Sequence, residues 1–264
     1  MTSSENISKP YNGPVIVIVG PTASGKTGAA ISIAKKIGGE VISADSRAIY
    51  KYMDIGTAKP SVEEMDGVPH FGIDLVEPGE RFTVADFKEY AEQKICEIRS
   101  RGHVPIVAGG TGLYVDALIF DYKFDGLSKD AKHGTPEGNE KAQEYKDRKE
   151  MSKDFVVFGI SWEPDELRER ITKRMRGMYN EGLFAETKFL VEKYGWGSQA
   201  MKSNVYQFCD KYLNGECSLD EAIEQTVYDD WHLAKRQITW FKRNEHINWY
   251  RLDKIENAIL SLFA

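Results

Sequence analysis

A glycine-rich stretch near the N terminus constrains this chain more than any other feature. It reads G-P-T-A-S-G-K-T and comprises Gly20, Pro21, Thr22, Ala23, Ser24, Gly25, Lys26 and Thr27. An apolar run over 15–19 precedes it and a helix-forming stretch over 29–37 follows, which is the strand–loop–helix setting of a phosphate-binding loop. Backbone N–H groups of such a loop, together with the positive end of the following helix, capture anions. The segment 20–27, called the phosphate loop below, therefore predicts binding of a phosphate chain, with Lys26 at the terminal phosphate and Thr27 at a magnesium ion.

The motif leaves open which phosphate compound is bound and whether a phosphate is transferred. In many nucleotide hydrolases a carboxylate at the end of a neighbouring strand holds magnesium. Here the buried run 104–108 ends in glycines and carries no such residue. This absence counts against an ordinary ATPase or GTPase.

Composition and charge narrow the class of protein further. The chain has 264 residues, of which 41% are hydrophobic, enough for one sizeable domain with a buried core. It contains no apolar run long enough for a membrane span, and the polar tail 1–12 has no signal-peptide core. The net charge of -6 argues against a protein surface that is basic all over and binds nucleic acid, but it allows a local basic groove. The cysteines show no metal-ligand spacing, which favours a reducing, cytoplasmic location.

The order of apolar runs and helical periodicities predicts an α/β fold, a P-loop parallel sheet flanked by helices with a small polar insertion and a helical C-terminal part. Strands are expected at 15–19, 40–44, 104–108 and 155–160, and helices at 29–37, 83–101, 113–119, 164–179, 183–194, 205–213 and 219–242. The predicted division is a flexible tail at 1–12, a core at 13–127, a reduced insertion at 128–154 with a short helix around 141–151, and the remainder of the core with C-terminal helices at 155–264. Only helices are expected after residue 160.

Ligands of such sheets lie beyond the carboxyl ends of the strands, so the polar turns there should converge. Asp45 follows the second strand, where it is either an N-cap or a general base or magnesium-organising carboxylate. Thr111 lies in the turn Gly109-Gly110-Thr111-Gly112, which is either a second anion site or a simple turn.

Arg174 lies at the edge of an apolar helical stripe in the helix that begins at Pro164. A guanidinium aimed toward a core needs an anion, so Arg174 is either a phosphate-binding residue or half of a structural salt bridge. Three other basic residues of this helix are expected to face outward, toward RNA or water. These are Arg168, Lys173 and Arg176.

A second basic segment lies near the C terminus. Lys235, Arg236, Gln237 and Lys242 are interleaved with aromatic residues, a combination that stacks bases and binds phosphates. The pattern is typical of a nucleic-acid contact, but taken alone it is more often an amphipathic surface helix.

Read together, these segments resemble the tRNA dimethylallyltransferases, also called tRNA isopentenyltransferases. The order and spacing of the motifs match from about residue 14 to 122 and again from about 155 to 250. The matching stretches are Gly20–Thr27, Ile42–Arg47, Met53–Pro60, Val68–His70, Val84–Phe87, Gly109–Tyr114 and Leu233–Trp240.

The resemblance implies transfer of a dimethylallyl group from dimethylallyl diphosphate to N6 of an adenosine beside a tRNA anticodon. Asp45 would accept the N6 proton, and the phosphate loop, Thr111 and Arg174 would hold the pyrophosphate. Thr27 would organise Mg²⁺. The residues that would contact tRNA are Lys235, Arg236, Gln237 and Lys242. The partners would be tRNA and the allylic diphosphate, with no membrane, and the enzyme would be a monomer.

This sequence departs from the family pattern where RNA recognition is concerned. The excursion 128–154 is shorter than the family's helical insertion, and an arginine-rich helix is missing. The family's Gly-Tyr is Val205-Tyr206, and its Thr-Arg is Asp230-Trp231. An isopentenyltransferase acting on free adenine nucleotides, a small-molecule kinase and a non-catalytic RNA-binding relative are the alternatives.

Overall fold

The computed structural model describes residues 9–124, 150–198 and 200–264. Most of the predicted tail 1–12 and most of the insertion 128–154 lie outside these residues, as does the short helix expected around 141–151 apart from its last two positions. Glu150 and Met151 are described and are not helical. The predicted division into tail, core and insertion stays a prediction.

The described residues form a six-stranded sheet in which every pairing is parallel, as the sequence predicts. The spatial order is β3-β2-β4-β1-β5-β6. In the central strand, Val17 pairs with Val107 on one side and with Val157 on the other. The strands are β1 (Val15–Val19), β2 (Gly39–Ser43), β3 (His70–Phe71), β4 (Val104–Gly109), β5 (Phe155–Ser161) and β6 (Asn248–Arg251).

The helices agree closely with the periodicities of the sequence. Thr83 is the N-cap of the helix over 84–100, because its hydroxyl accepts the Asp86 N–H at 3.2 Å and the Asp86 carboxylate accepts the Thr83 N–H at 2.7 Å. The helices are α1 (Lys26–Ile37), α2 (Val62–Met65), α3 (Val84–Ser100), α4 (Gly112–Ile119), α5 (Pro164–Asn180), α6 (Leu183–Tyr194), α7 (Asn204–Leu213), α8 (Leu219–Phe241) and α9 (Leu252–Leu260). No helix of the described residues is long and apolar enough to cross a membrane.

The expectation that only helices follow residue 160 is wrong. Strand β6 extends the sheet beside β5, with Gly159 paired to Trp249, and α9 then packs against α1. A four-residue strand at a sheet edge is partly solvated and produces no buried apolar run, so periodicity does not reveal it.

Successive side chains of each strand point to opposite faces of the sheet, and both faces are buried. Val15, Val17 and Val19 pack with α3 and α4, whereas Ile16 and Ile18 pack with α1 and α9. A third cluster joins α5, α6, α7 and α8 around Met175, Tyr206 and their neighbours. The carboxyl ends of β1, β2 and β4 face this helical part, and the space between them contains the site described next.

Candidate active site

A cavity of about 1720 Å³ opens between the carboxyl ends of the strands and the C-terminal helices. The predicted convergence of the polar turns after β1, β2 and β4 is confirmed, because residues of all three line this cavity. Predicted site residues that line it are Thr22, Ala23, Ser24, Gly25, Lys26, Thr27, Asp45, Thr111, Arg174, Arg236 and Gln237. Gly20 and Pro21 are buried at the base of the phosphate loop, and Lys235 and Lys242 are exposed on the outer surface.

The phosphate loop leads directly into α1, which begins at Lys26. Gly25 has a φ of 91°, a left-handed conformation that favours glycine, and the first residues of the helix after it line the cavity. Lys26 folds back so that its Nζ donates to the Pro21 carbonyl at 2.7 Å. Burial lowers the pKa of Lys26 to about 8, with Asp45 raising it and Arg174 lowering it further. An anion beside Lys26 would raise this pKa again.

Two side chains support the loop, one just after β5 and one from α5. The Trp162 indole N–H donates to the Ser24 carbonyl at 3.0 Å, and the Arg170 Nε donates to the Ala23 carbonyl at 2.8 Å. The Arg170 guanidinium also stacks on the Trp162 ring at 4.4 Å. These contacts hold two carbonyls of the loop in place. Neither Arg170 nor Trp162 was predicted from the sequence as part of the site.

Gln237 connects the phosphate loop to the turn after β4. Its Oε1 accepts the Thr22 N–H at 2.7 Å, and its Nε2 donates to the Gly110 carbonyl at 3.0 Å. A Cβ on Gly110 would lie 2.5 Å from this amide nitrogen, so only glycine permits the approach. Both ends of the Gln237 amide are thus engaged within the protein, whereas the sequence placed Gln237 among the tRNA contacts. Its contact with tRNA stays a prediction.

The turn at 109–112 packs tightly against α8. A Cβ on Gly112 would lie 2.2 Å from the Trp240 ring, and the Trp240 indole N–H donates to Asp116 at 2.8 Å. Burial raises the pKa of Asp116 to about 6. The glycines of this turn therefore allow α8 to bring Gln237 to the phosphate loop.

Asp45 and Thr111 lie close together at the floor of the cavity. The Thr111 hydroxyl accepts the Ser46 N–H at 2.9 Å and donates to the Ser46 hydroxyl at 3.2 Å. Oδ1 of Asp45 accepts the Arg47 N–H at 2.8 Å. Asp45 therefore caps the turn after β2, as one of the two sequence interpretations expected, and its carboxylate also lines the cavity as the other requires.

Arg174 likewise shows both of the features that the sequence left as alternatives. Its Nη2 donates to the Thr22 hydroxyl at 2.6 Å and to the Asp230 carboxylate at 2.5 Å, and the side chain lines the cavity. Burial raises the pKa of Asp230, and the ion pair with Arg174 opposes that rise. Among the described residues, the buried Nε of Arg174 has no hydrogen-bond partner. Arg174 thus holds a structural ion pair and also contacts the phosphate loop.

The basic residues expected at an RNA surface divide into two groups. Arg168, Lys173 and Arg176 are all exposed on α5, as predicted, and Lys173 also lines the cavity. Lys235 and Lys242 are exposed, and the Lys235 ammonium lies 5.8 Å from the centre of the Trp231 ring. These cations are therefore accessible to a polyanion.

The donors at this site suit a magnesium ion that arrives with a diphosphate. Across 9–124, 150–198 and 200–264, no group of three or more His, Cys, Asp or Glu side chains can hold a metal. The Thr27 hydroxyl is exposed within the cavity at the start of α1. Mg²⁺ commonly takes few protein ligands and completes its shell with phosphate oxygens and water, which Thr27 and a bound diphosphate would permit.

Fold and site define a P-loop α/β protein whose phosphate-binding loop shares one cavity with a carboxylate and an arginine. The family model described as IPP transferase matches residues 48–145 and 131–244, and that described as Isopentenyl transferase matches residues 13–75. The chain belongs to the tRNA dimethylallyltransferase (IPP transferase) family.

Curated relatives and solved structures agree on this family. A tRNA dimethylallyltransferase from Acetivibrio thermocellus is 40% identical over 92% of this chain and 93% of its own length. One from Staphylococcus haemolyticus is 39% identical over 93% of this chain and 88% of its own length. The crystal structure of a tRNA delta(2)-isopentenylpyrophosphate transferase from Staphylococcus epidermidis superposes with a TM-score of 0.80 at 33% identity, covering 96% of this chain and 99% of that one.

Proposed function

We propose that this protein transfers the dimethylallyl group of dimethylallyl diphosphate to N6 of an adenosine next to the tRNA anticodon and releases diphosphate. The names of the relatives support this activity. The observation that carries it is the meeting of Asp45, the phosphate loop and Arg174 in one cavity, since the reaction needs a proton acceptor and a diphosphate site side by side.

The phosphate loop would bind the leaving group. As the allylic C–O bond breaks, negative charge grows on the diphosphate, and fixed donors stabilise that charge best when they are already oriented. Lys26, the Arg174 guanidinium and the N–H groups at the start of α1 are such donors. Mg²⁺, held by the Thr27 hydroxyl and the diphosphate, would neutralise part of the same charge.

Asp45 would accept the proton that N6 loses as its bond to the dimethylallyl carbon forms. The bond from this carbon to the diphosphate oxygen breaks in the same process, so the proton moves to the carboxylate and the electron pair leaves with diphosphate. Proton transfer of this kind contributes about 10²–10⁴ in rate. Oδ1 of Asp45 is bonded to the Arg47 N–H, which orients the carboxylate for this role.

The size of the cavity agrees with a reaction between two substrates. Its volume of about 1720 Å³ exceeds the roughly 300–1,000 Å³ of ordinary small-molecule sites. The target amine belongs to a base within tRNA, which must leave its stack to reach Asp45. Lys235, Arg236 and Lys242 are exposed around α8 and would bind the RNA backbone. We expect the enzyme to act as a cytoplasmic monomer.

The activity is tested by incubating the protein with dimethylallyl diphosphate, Mg²⁺ and unmodified tRNA, followed by mass analysis of the nucleosides. The expected product is an adenosine heavier by one dimethylallyl group, formed with release of diphosphate. A parallel reaction with AMP in place of tRNA should give no product. Product from AMP alone would assign the enzyme to free nucleotides, and ATP hydrolysis without prenylation would contradict the proposal.

A further inference from the structure

The segment after β2 contains Asp45 and continues into a loop over 54–60 that lines the same cavity. Glu186, from helix α6, holds this loop. Its Oε2 accepts the N–H groups of Asp54 at 3.0 Å and Ile55 at 2.8 Å, and its Oε1 accepts the N–H of Gly56 at 2.9 Å. Three successive backbone donors therefore converge on one carboxylate that lies far away in the sequence.

Tyr206, from α7, completes this arrangement. Its side chain is fully buried, and its hydroxyl donates to Oε1 of Glu186 at 2.8 Å. A Cβ on Gly56 would lie 2.5 Å from the Tyr206 ring, so the loop follows the ring surface closely. Each oxygen of Glu186 thus receives two hydrogen bonds, which fixes the position of the carboxylate.

The opposite end of the loop is anchored by Lys59. Its side chain is 4% exposed and donates to the Tyr50 carbonyl at 2.9 Å, to Asp54 at 2.5 Å and to Asp74 at 2.6 Å. The loop is therefore fixed from the core by Lys59 and from the helical part by Glu186. Its backbone forms a firm part of the cavity wall.

The diphosphate contacts proposed above come from 20–27, Thr111 and Arg174, whereas Glu186 accepts its four hydrogen bonds from the 54–60 loop and Tyr206. The 54–60 loop instead shares its segment with Asp45, the residue that would meet the acceptor amine. We propose that Glu186, oriented by Tyr206, is a positioning residue for the acceptor nucleotide, holding the 54–60 loop as the wall that sets the acceptor amine against Asp45. The inference rests on the proposed function.

Glu186→Gln is the sharpest test of this role, because it preserves shape and removes charge. Since each carboxylate oxygen accepts two donors, the new NH₂ group must face two N–H or O–H donors in either orientation. We expect KM for tRNA to rise about tenfold or more, as for loss of a charge-assisted hydrogen bond, with KM for dimethylallyl diphosphate within about threefold. The matched control is Glu192→Gln, an exposed glutamate of the same helix, which should change neither constant. An unchanged KM for tRNA, or equal rises in both constants, would overturn the inference.

Hydrogen exchange of the 54–60 loop gives a readout that does not depend on activity. Glu186→Gln should accelerate exchange of the Ile55 and Gly56 amides and leave the phosphate loop protected. Unaltered exchange there would refute the positioning role even if the enzyme proved to use another acceptor. If the wild type makes no prenylated tRNA but the exchange result holds, only the proposed function fails.

Should Glu186→Gln not fold, Tyr206→Phe decides the matter. It retains the carboxylate on the loop and removes one of its four donors. The same selective rise in KM for tRNA and the same local loss of protection are expected, at a smaller size. If Tyr206→Phe changes neither the KM for tRNA nor the exchange of the loop amides, the inference is overturned.

Discussion

Gln237 offers the clearest separation between a residue that shapes the diphosphate site and one that touches RNA. The sequence places it in a basic and aromatic segment and predicts contact with tRNA. In the structure its amide joins the Thr22 N–H to the Gly110 carbonyl, which connects the phosphate loop to the turn after β4. We therefore expect Gln237→Ala to weaken diphosphate binding and to leave the binding of tRNA unchanged.

The size of the effect follows from the bonds lost. Each neutral hydrogen bond contributes about 0.5–1.5 kcal/mol net, so losing both removes about 1–3 kcal/mol of loop organisation. If this loss falls on ligand binding, the Kd for pyrophosphate rises about 5- to 150-fold. Gln237→Glu should be worse than Gln237→Ala. It keeps an acceptor for the Thr22 N–H, but it sets a carboxylate against the Gly110 carbonyl and brings negative charge toward the diphosphate.

Calorimetric titration with magnesium pyrophosphate measures the first effect, and filter binding of tRNA measures the second. Lys235→Ala is the matched control, since Lys235 lies on the same helix and is exposed outside the cavity. It should show the reverse pattern, with weaker tRNA binding and normal pyrophosphate binding. A Gln237→Ala protein that binds pyrophosphate normally but loses tRNA affinity would refute the bridging role and restore the sequence interpretation.

Three further predictions concern the charged residues. Arg174→Ala should slow the chemical step in single-turnover experiments and weaken pyrophosphate binding by about 1.5–3 kcal/mol. If the variant loses only thermal stability and turns over normally, Arg174 serves only as the structural partner of Asp230. Because burial lowers the pKa of Lys26 to about 8, its charge is lost as pH rises through 8. Pyrophosphate affinity should therefore fall above that pH, and calorimetry in different buffers should detect proton uptake on binding at pH 8.5; equal uptake by Lys26→Met would contradict this. The double variant Lys235→Ala/Arg236→Ala should lower tRNA affinity and reduce the slope of log affinity against log salt by roughly 0.7–0.9 per lost contact; an unchanged slope would place both residues outside the RNA interface.

Contiguous motifs made the phosphate site predictable from sequence. The strand, the glycine-rich turn and α1 are adjacent along the chain, so residues 20–27 indicate their own conformation. Parallel topology then brings the turns with Asp45 and Thr111 to the same edge of the sheet. The helical periodicity of α5 likewise placed Arg174 toward the core, where its ion pair is found.

Contacts between distant segments were not predictable in this way. Gln237 and Thr22 are separated by 215 positions, and Glu186 meets Gly56 across 130. Local pattern says nothing about such pairs, because a glutamate or glutamine on a helix is most often solvated. The glycines at 110 and 56 are the one available signal, since each marks a close approach by a side chain, of Gln237 or Tyr206 respectively. The edge strand β6 was missed because it is short and half-exposed.

The most direct measurement of the central claim is the single-turnover rate of Asp45→Asn with tRNA and dimethylallyl diphosphate, alongside the affinity of the same protein for both substrates. Asparagine preserves the shape and can still accept the Arg47 N–H, but it cannot take up the N6 proton. We predict a rate lowered by roughly 10²–10⁴, with tRNA and pyrophosphate bound within a few-fold of the wild type. A variant that retains more than about a tenth of the wild-type rate would contradict the assignment of Asp45 as the proton acceptor.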